Sequence, residues 1–180
     1  MKNILIIGVA RAGKSTLAKK FNKKIYNHIP VDYLTSSLKH NFSEIGITSN
    51  VVIDKESSKK LSLLLSNIIH IMEEKDEKFI IDSAHLYPVD IMKYIDLNKW
   101  DVYCVAYPNI DANKKLSLIR KYDNSSDWTY NKTDEEMINI IKELIKISKE
   151  LELQSKKLGI NFIDASDYNT IEDLTINYYS

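Results

Sequence analysis

The chain has 180 residues, 44% of them hydrophobic, and its 25 Lys and Arg balance its 25 Asp and Glu. This composition excludes a disordered or collagen-like chain and predicts one soluble domain over residues 1–180 with a single core. A formal net charge of zero gives no long-range attraction to nucleic acid or to an anionic membrane. Neither is therefore an expected partner, and any anion must be bound locally.

The single cysteine, Cys104, lies in an apolar run and cannot form an internal disulfide. This suits a reducing compartment, so a cytoplasmic location is expected. The first apolar stretch, Ile4 to Ile7, is too short for a signal peptide or a membrane span. No feature of the sequence predicts an oligomeric state.

Hydrophobic patterns predict strands and helices that alternate along the chain. The predicted elements are a strand at 3–7, a helix at 15–21, a strand at 25–31, a helix start after Asp32, a helix at 57–77, a strand at 79–81, a helix opened by Pro88, a strand at 100–107, a long helix capped by Thr133 and ending before Gly159, a strand at 160–163 and a helix at 171–178. Such alternation predicts an α/β fold with a five-stranded parallel sheet, whose ligands bind at the carboxyl ends of the strands.

Four candidate features fall at this edge of the predicted sheet. Asp32, Asp82 and Asp164 each follow a predicted strand, and the loop from Gly8 to Ser15 follows the first one. The sequence of that loop, G-V-A-R-A-G-K-S, matches the phosphate-binding motif G-x-x-x-x-G-K-[ST] between a strand and a helix, which is the context that the motif requires.

The chemistry of the motif assigns a task to each position. Glycines let the backbone wrap a polyphosphate, and successive N–H groups at a helix N-terminus attract it. Lys14 is expected to reach the β- and γ-phosphates, Ser15 to bind Mg²⁺ and Thr16 to bond a phosphate oxygen, which makes ATP and Mg²⁺ the implied cofactors. The predicted nucleotide-binding residues here are Gly8, Ala10, Arg11, Ala12, Gly13, Lys14, Ser15 and Thr16.

A second candidate metal ligand is Asp82, at the end of the apolar run from Phe79 to Ile81. This has the form of a Walker B strand, which brings a carboxylate close to the metal. A helix cap at a strand end is the alternative interpretation of the same aspartate.

A GTPase is the first class of phosphate-loop protein to consider, because residues 131–134 read N-K-T-D. That guanine signature should follow an apolar strand, whereas residues 125–130 are not apolar, and a companion D-x-x-G is absent from the sequence. Thr133 is better explained as the cap of the long helix.

The chain instead resembles, over essentially its whole length, the P-loop kinase superfamily of nucleoside monophosphate kinases and related small-molecule kinases. The turn D-S-A-H-L-Y-P at 82–88 looks like the turn near the acceptor and the metal in those kinases, and Asp32 matches their acceptor-binding carboxylate. The resemblance implies a three-layer P-loop NTPase fold with helices on both faces of the sheet and a small lid, like that of adenylate kinase.

The segment 120–133 is similar to the mobile lid of those kinases, and Arg120 is the predicted clamp on the transferring phosphate. The resemblance also suggests that Asp164 and Ala165 lie by the adenine ring, so that ATP is the donor. Structural alternatives stay open: Arg120 as a solvated cation at a helix end, Asp32 as a helix cap and His85 as a structural residue. Trp128 and Tyr130 either cover the substrate or pack within the lid.

The predicted catalytic residues are thus Lys14, Arg120 and Asp32, acting in transfer of the γ-phosphoryl group of ATP to a small acceptor. The residues from Val31 to Ile119 contain no arginine, unlike kinases that grip a phosphorylated acceptor. This favours an uncharged acceptor, a nucleoside or another hydroxyl-bearing metabolite, bound by Asp32 and the segment 33–56. The alternative acceptor is a nucleotide whose phosphate would be bound by four lysines. Those lysines are Lys39, Lys55, Lys59 and Lys60. The alternative function is an ATP-binding regulatory module with no small acceptor.

Overall fold

The computed structural model describes residues 1–21, 25–167 and 170–171. Its elements along the chain are β1 (Asn3–Gly8), α1 (Lys14–Lys20), β2 (Tyr26–Pro30), α2 (Val31–Asn41), α3 (Lys55–Glu73), β3 (Lys78–Ser83), α4 (Pro88–Ile91), β4 (Trp100–Ala106), α5 (Ala112–Tyr122), α6 (Asp134–Leu158) and β5 (Asn161–Asp164), with 3-10 turns at Ser43–Ile45 and Met92–Tyr94.

The five strands form one sheet in the order β2-β3-β1-β4-β5, and every neighbouring pair is parallel. The central strand β1 is buried at all six positions, and its Ile6 lies opposite Asp82 on one side and Tyr103 on the other. The loop that leaves β1 therefore emerges in the middle of the carboxyl edge. The predicted five-stranded parallel α/β fold is confirmed.

The strand order also determines where the helices lie. The connection from β1 to β2 runs toward one edge of the sheet, whereas all later connections run back toward the other. Because parallel crossovers are right-handed, α1 lies on one face of the sheet and the later helices on the opposite one. Contacts of α4 with both α3 and α6 agree with this arrangement, which covers both faces.

The ends of the long helices follow their sequence signals closely. Asp54 caps α3 by accepting a hydrogen bond from Ser57 N (2.7 Å), and Thr133 forms the predicted capping box with Glu136 at the start of α6. Gly159, in the left-handed region, ends α6. Thr133 is thus a helix cap, as predicted, and not part of a guanine-binding signature.

Most boundaries differ from the prediction by a few residues. Strand β2 ends at Pro30, so Val31 already begins α2, and α3 ends at Glu73 rather than near residue 77. The helix predicted for 171–178 lies outside the described residues except for Ile171. Of the helices that the structure describes, none has both the length and the apolar character needed to cross a membrane.

Candidate phosphoryl-transfer site

The loop from Gly8 to Ser15 leads from β1 into α1 and has three residues with positive φ: Gly8 (+140°), Arg11 (+58°) and Gly13 (+92°). A Cβ atom on Gly8 would lie 1.9 Å from the carbonyl oxygen of Val105 on β4. Only glycine therefore fits at position 8, where the loop leaves the sheet.

Lys14, the first residue of α1, is buried, with 7% of its surface exposed. Its Nζ donates a hydrogen bond to the carbonyl oxygen of Val9 (2.8 Å), so the ammonium is held against the loop. Burial lowers the pKa of Lys14, and the nearby carboxylates of Asp32 and Asp82 offset this only in part. The site thus contains a desolvated cation that a phosphate group would stabilise.

This loop forms one wall of a cavity of about 560 Å³, a size suited to a nucleotide and a small second ligand. The second wall carries Asp32 and Ala84. The third comes from α5 and from Asp127 and Trp128. Because α5 includes residues 120–122 of the predicted lid, the lid segment below means residues 123–133. The predicted residues that line the cavity are Ala10, Arg11, Ala12, Gly13, Lys14, Ser15, Thr16, Asp32 and Ala165.

Asp32 is in the first turn of α2 but does not cap it, because Pro30 occupies the cap position. Its carboxylate is open to the cavity, and its Oδ1 lies 3.4 Å from Nε2 of the buried His85. Burial acts to raise the pKa of Asp32, but the hydrogen bond from His85, the charge of Lys14 and the N–H of Ala84 outweigh it, so this pKa is lowered. Asp32 is therefore ionised at neutral pH.

Asp82, at the end of β3, is buried, and its Oδ2 lies 2.8 Å from Nε2 of His28 on the edge strand β2. It is not part of the cavity wall, but its charge acts on Lys14. His28 fixes the direction of this carboxylate. Asp82 caps no helix, since the next one, α4, has Tyr87 at its cap position.

The far end of the cavity is mostly apolar. Trp128 of the lid segment lines it, whereas Tyr130 is exposed and is not part of the wall. Asp164 also lies outside the wall, because its carboxylate accepts hydrogen bonds from Asn109 Nδ2 (2.8 Å) and Ser166 N (2.9 Å). The apolar lining residues are Leu118, Ile119, Tyr122, Trp128, Ala165 and Ile171.

Arg120 does not line the cavity. Its guanidinium directs Nε to Asp134 (3.0 Å), Nη1 to Asp123 (3.2 Å) and the carbonyl of Thr129 (2.9 Å), and Nη2 to the carbonyl of Lys132 (2.6 Å) and to Asp134 (2.9 Å). Four hydrogen bonds and the ion pair with Asp134 thus hold the guanidinium within the lid segment and its flanks. In this arrangement Arg120 holds the lid segment together rather than facing a phosphate.

Arg11, in contrast, connects the phosphate loop to the lid segment. Its guanidinium forms an ion pair with the buried carboxylate of Asp123 and a second one with Asp127 (3.1 Å). Asp123 also accepts hydrogen bonds from Thr129 and from Arg120. One carboxylate thus joins the loop, the end of α5 and the lid segment.

Comparison with known proteins identifies the fold. Neither a protein-family model nor a curated protein sequence matches the chain. The solved structure of shikimate kinase from Bacteroides thetaiotaomicron superposes with a TM-score of 0.59 and 18% identity, over 98% of this chain and 96% of that one. The chain has the fold of shikimate kinase. The structure of shikimate kinase from Acinetobacter baumannii in complex with shikimate superposes with a TM-score of 0.57 and 13% identity, over 99% of this chain and 90% of that one. A gluconokinase from Sinorhizobium meliloti 1021 superposes with a TM-score of 0.44 and 12% identity, over 86% of this chain and 97% of that one.

Within this shikimate kinase fold, sequence reasoning missed three residues of the site. His28 orients Asp82, Asp123 receives both arginines, and Lys115 of α5 lines the cavity. A signal for Lys115 was present in the sequence, since helical spacing places it on the same face as Leu118 and Tyr122. The two other roles depend on contacts between distant segments.

The contacts of Arg120 lead to a first prediction. We expect Arg120→Met to lower the hydrogen-exchange protection of amides in the lid segment by at least tenfold, because two carboxylates and two carbonyls lose their partner. Amides of β4 should keep their protection. Arg120→Lys, with three N–H groups instead of five, should give an intermediate loss. Unchanged protection in Arg120→Met would contradict the structural role.

Proposed function

We propose that the chain is an ATP- and Mg²⁺-dependent kinase that transfers the γ-phosphoryl group to a small-molecule acceptor. The observation that carries the proposal is one cavity whose wall holds both a complete phosphate loop with the buried Lys14 and the ionised Asp32. A kinase needs a phosphate donor site and an acceptor site in such proximity. We place the protein in the cytoplasm, where ATP is present and Cys104 stays reduced.

The nucleotide is proposed to lie along the loop with its base at the apolar end of the cavity. The backbone N–H groups of the loop and of the first turn of α1 attract the phosphates. Leu118, Tyr122 and Trp128 offer apolar surface to the adenine ring, and Ala165 lines the same cavity. Asp164 would act indirectly, by bonding Ser166 and Asn109 and so shaping the turn that presents Ala165.

The hydroxyl of Ser15 on the cavity wall would bind Mg²⁺ directly, and the carboxylate of Asp82, outside the wall near Lys14, would act on the ion through a bound water. In the described part of the chain, no three His, Cys, Asp or Glu side chains form a metal cluster. This agrees with a Mg²⁺ ion held by one or two protein groups together with phosphates and water. When bound, the metal supplies charge that neutralises the β- and γ-phosphate oxygens.

The transfer step uses the residues on both sides of the cavity. The acceptor oxygen forms a bond to the γ-phosphorus, the bond from that phosphorus to the β,γ-bridging oxygen breaks, and ADP leaves. Lys14 neutralises charge on the phosphoryl oxygens. The acceptor hydroxyl donates a hydrogen bond to Asp32, and as the new bond forms its proton passes through this carboxylate to solvent. Because the pKa of Asp32 is lowered, its main task is to orient the acceptor.

Charges around the acceptor wall favour an uncharged acceptor, such as a nucleoside or a polyol. The ionised Asp32 faces this wall, with His85 as its partner. Four lysines were candidates to bind an acceptor anion, and none of them lines the cavity in the described structure. Lys55 pairs with Glu150 and Lys59 with Glu56. None of these four lysines would therefore offset the repulsion that Asp32 exerts on a carboxylate or phosphate of the acceptor.

The test of the proposed function is ADP release from Mg·ATP in the presence of a panel of compounds. Each nucleoside or polyol is paired with its phosphate or carboxylate derivative, and Lys14→Met serves as the inactive control. Stimulation by an uncharged member, lost in Lys14→Met, would support the kinase. Tight ATP binding with a rate of ADP release that no compound changes would overturn the proposed kinase function and favour a regulatory module.

A second prediction concerns Asp32. We expect Asp32→Asn to lower kcat/KM for the acceptor about 10- to 100-fold, because a hydrogen bond to a charged group is lost. The Kd of Mg·ATP, measured by calorimetry, should change less than twofold. Asp76→Asn, an exposed site between α3 and β3 at the opposite edge of the sheet, is the matched control. An equal loss of acceptor kcat/KM and of ATP affinity would contradict the assignment.

A further inference from the structure

Lys115 lies in the first half of α5 and extends toward the phosphate loop. It is buried, with 7% of its surface exposed, and it lines the cavity. Its Nζ donates a hydrogen bond to the carbonyl oxygen of Arg11 (2.8 Å) and lies 4.0 Å from the centre of the Tyr107 ring. Tyr107 is in turn fixed by a hydrogen bond from its hydroxyl to the carbonyl oxygen of Ala10 (3.0 Å). The ammonium therefore has a fixed position against the loop.

This cation has no carboxylate of its own among the described residues. The charges that act on it are those of Arg11 and Lys14, both of the same sign, and the lid carboxylates Asp123 and Asp127 are paired with Arg11. Burial, reinforced by these two cations, lowers the pKa of Lys115 to about 8. A buried cation that lacks an anion is unfavourable, so the site favours a ligand that supplies negative charge.

We infer that Lys115 binds the phosphate chain of the nucleotide. Of its three N–H groups, one is used by the carbonyl of Arg11, and the ammonium lies on the wall of the cavity that also holds Lys14. A polyphosphate on the loop would lie between these two lysines and satisfy both of them. This inference rests on the proposed function only in taking the ligand to be an adenine nucleotide.

The alternative is a brace, in which Lys115 only holds the loop at Arg11, whose φ is positive. The two roles differ in how binding depends on ligand charge and on the protonation of Lys115. A brace needs only the hydrogen bond to the carbonyl of Arg11, so its loss weakens ATP binding by distorting the phosphate loop, but the affinity does not depend on the charge of Lys115. A lysine that binds phosphate contributes nothing to the affinity for adenosine, more to the affinity for ADP and most to the affinity for ATP.

The experiment measures the Kd of adenosine, Mg·ADP and Mg·ATP by calorimetry for the wild type, Lys115→Met and Lys115→Arg. We expect Lys115→Met to weaken the binding of Mg·ATP about 10- to 100-fold and that of adenosine less than twofold. Lys115→Arg should keep most of the wild-type affinity for Mg·ATP. Lys114→Met removes an exposed lysine from the same turn and is the matched control, with expected changes below twofold.

A pH series adds a readout that a brace would not change. The groups that face Lys115 are Arg11, Lys14 and Tyr107, and Arg11 carries Asp123 and Asp127 on its other side. Phosphate binding raises the pKa of Lys115, so ATP affinity is complete below about pH 8 and falls by up to tenfold per pH unit above it. Lys115→Met should lack this fall.

Three outcomes would overturn the inference: equal losses of affinity for adenosine and ATP in Lys115→Met, no loss for either ligand, or a loss of ATP affinity in Lys115→Met when the wild-type affinity shows no fall above about pH 8, which indicates a brace. The proposed function fails separately. If the wild type binds no adenine nucleotide, the donor site itself is wrong, whereas ATP binding that is unaffected by Lys115→Met leaves the donor site intact. Because the experiment measures binding, it does not depend on knowing the acceptor.

Discussion

Replacing Lys14 with methionine should lower the rate of acceptor-stimulated ADP release about a thousandfold while the protein stays folded. Loss of a preorganised cation at the transferring phosphate removes charge stabilisation that no neighbour provides in the same position. The thermal midpoint should be unchanged or higher, because Lys14 is a desolvated cation and methionine fills a similar volume without a charge. Single-turnover ADP formation and a melting curve measure the two effects.

The matched control for this variant is Lys19→Met, an exposed lysine on the same helix. It should keep full activity and an unchanged midpoint. Activity of Lys14→Met within tenfold of the wild type would contradict the donor site. A midpoint lower by more than about 5 °C would mean that the hydrogen bond from Lys14 to Val9 stabilises the fold, and activity would then be compared well below that midpoint.

Replacing Gly8 with alanine is expected to destabilise the fold by about 3 kcal/mol or more, roughly 10 °C in Tm for a chain of this size. The added methyl group would lie 1.9 Å from the carbonyl oxygen of Val105, and the φ of +140° is itself unfavourable for alanine. Either β4 moves away from β1 or the loop changes its path, and both break the centre of the sheet. Denaturant unfolding, with thermal melting alongside, measures the loss.

The variant Gly159→Ala separates the two causes of destabilisation expected for Gly8→Ala, the steric clash with Val105 and the unfavourable positive φ. Gly159 also has a positive φ, +67°, but a Cβ atom there would meet no atom within 4 Å. Its replacement should cost only about 1 kcal/mol, the penalty for a left-handed alanine. If the two variants lost equal stability, the close approach of β4 to Gly8 would not be the cause.

The sequence was sufficient to predict the parts of the fold that depend on local patterns. The apolar run of β1, the glycines of the loop and the spacing of α3 and α6 are each contained in a short segment, and so is the cap at Thr133. Such signals do not require knowledge of distant neighbours. The phosphate loop could be predicted because its function requires fixed residue types at fixed spacing.

Roles that depend on tertiary contacts were harder to predict. Arg120 is the predicted phosphate clamp because the segment 120–133 resembles a kinase lid, yet its guanidinium is used within the lid segment. Lys115, one of many lysines, faces the loop because α5 happens to present that side to the cavity. Whether a cation reaches a ligand is decided by the packing of its helix, which composition does not contain.

The ion pairs between Arg11 and the lid segment influence how nucleotide can enter and leave. A lid tied by Asp123 and Asp127 to the phosphate loop cannot swing away alone, so opening must either break both pairs or distort the loop that grips the phosphates. Under the proposed function, exchange of ADP for ATP would therefore depend partly on electrostatics. Dissolved ions that screen the more exposed pair, Arg11 with Asp127, would ease the first step of opening, so the proposed kinase activity would depend on ionic strength.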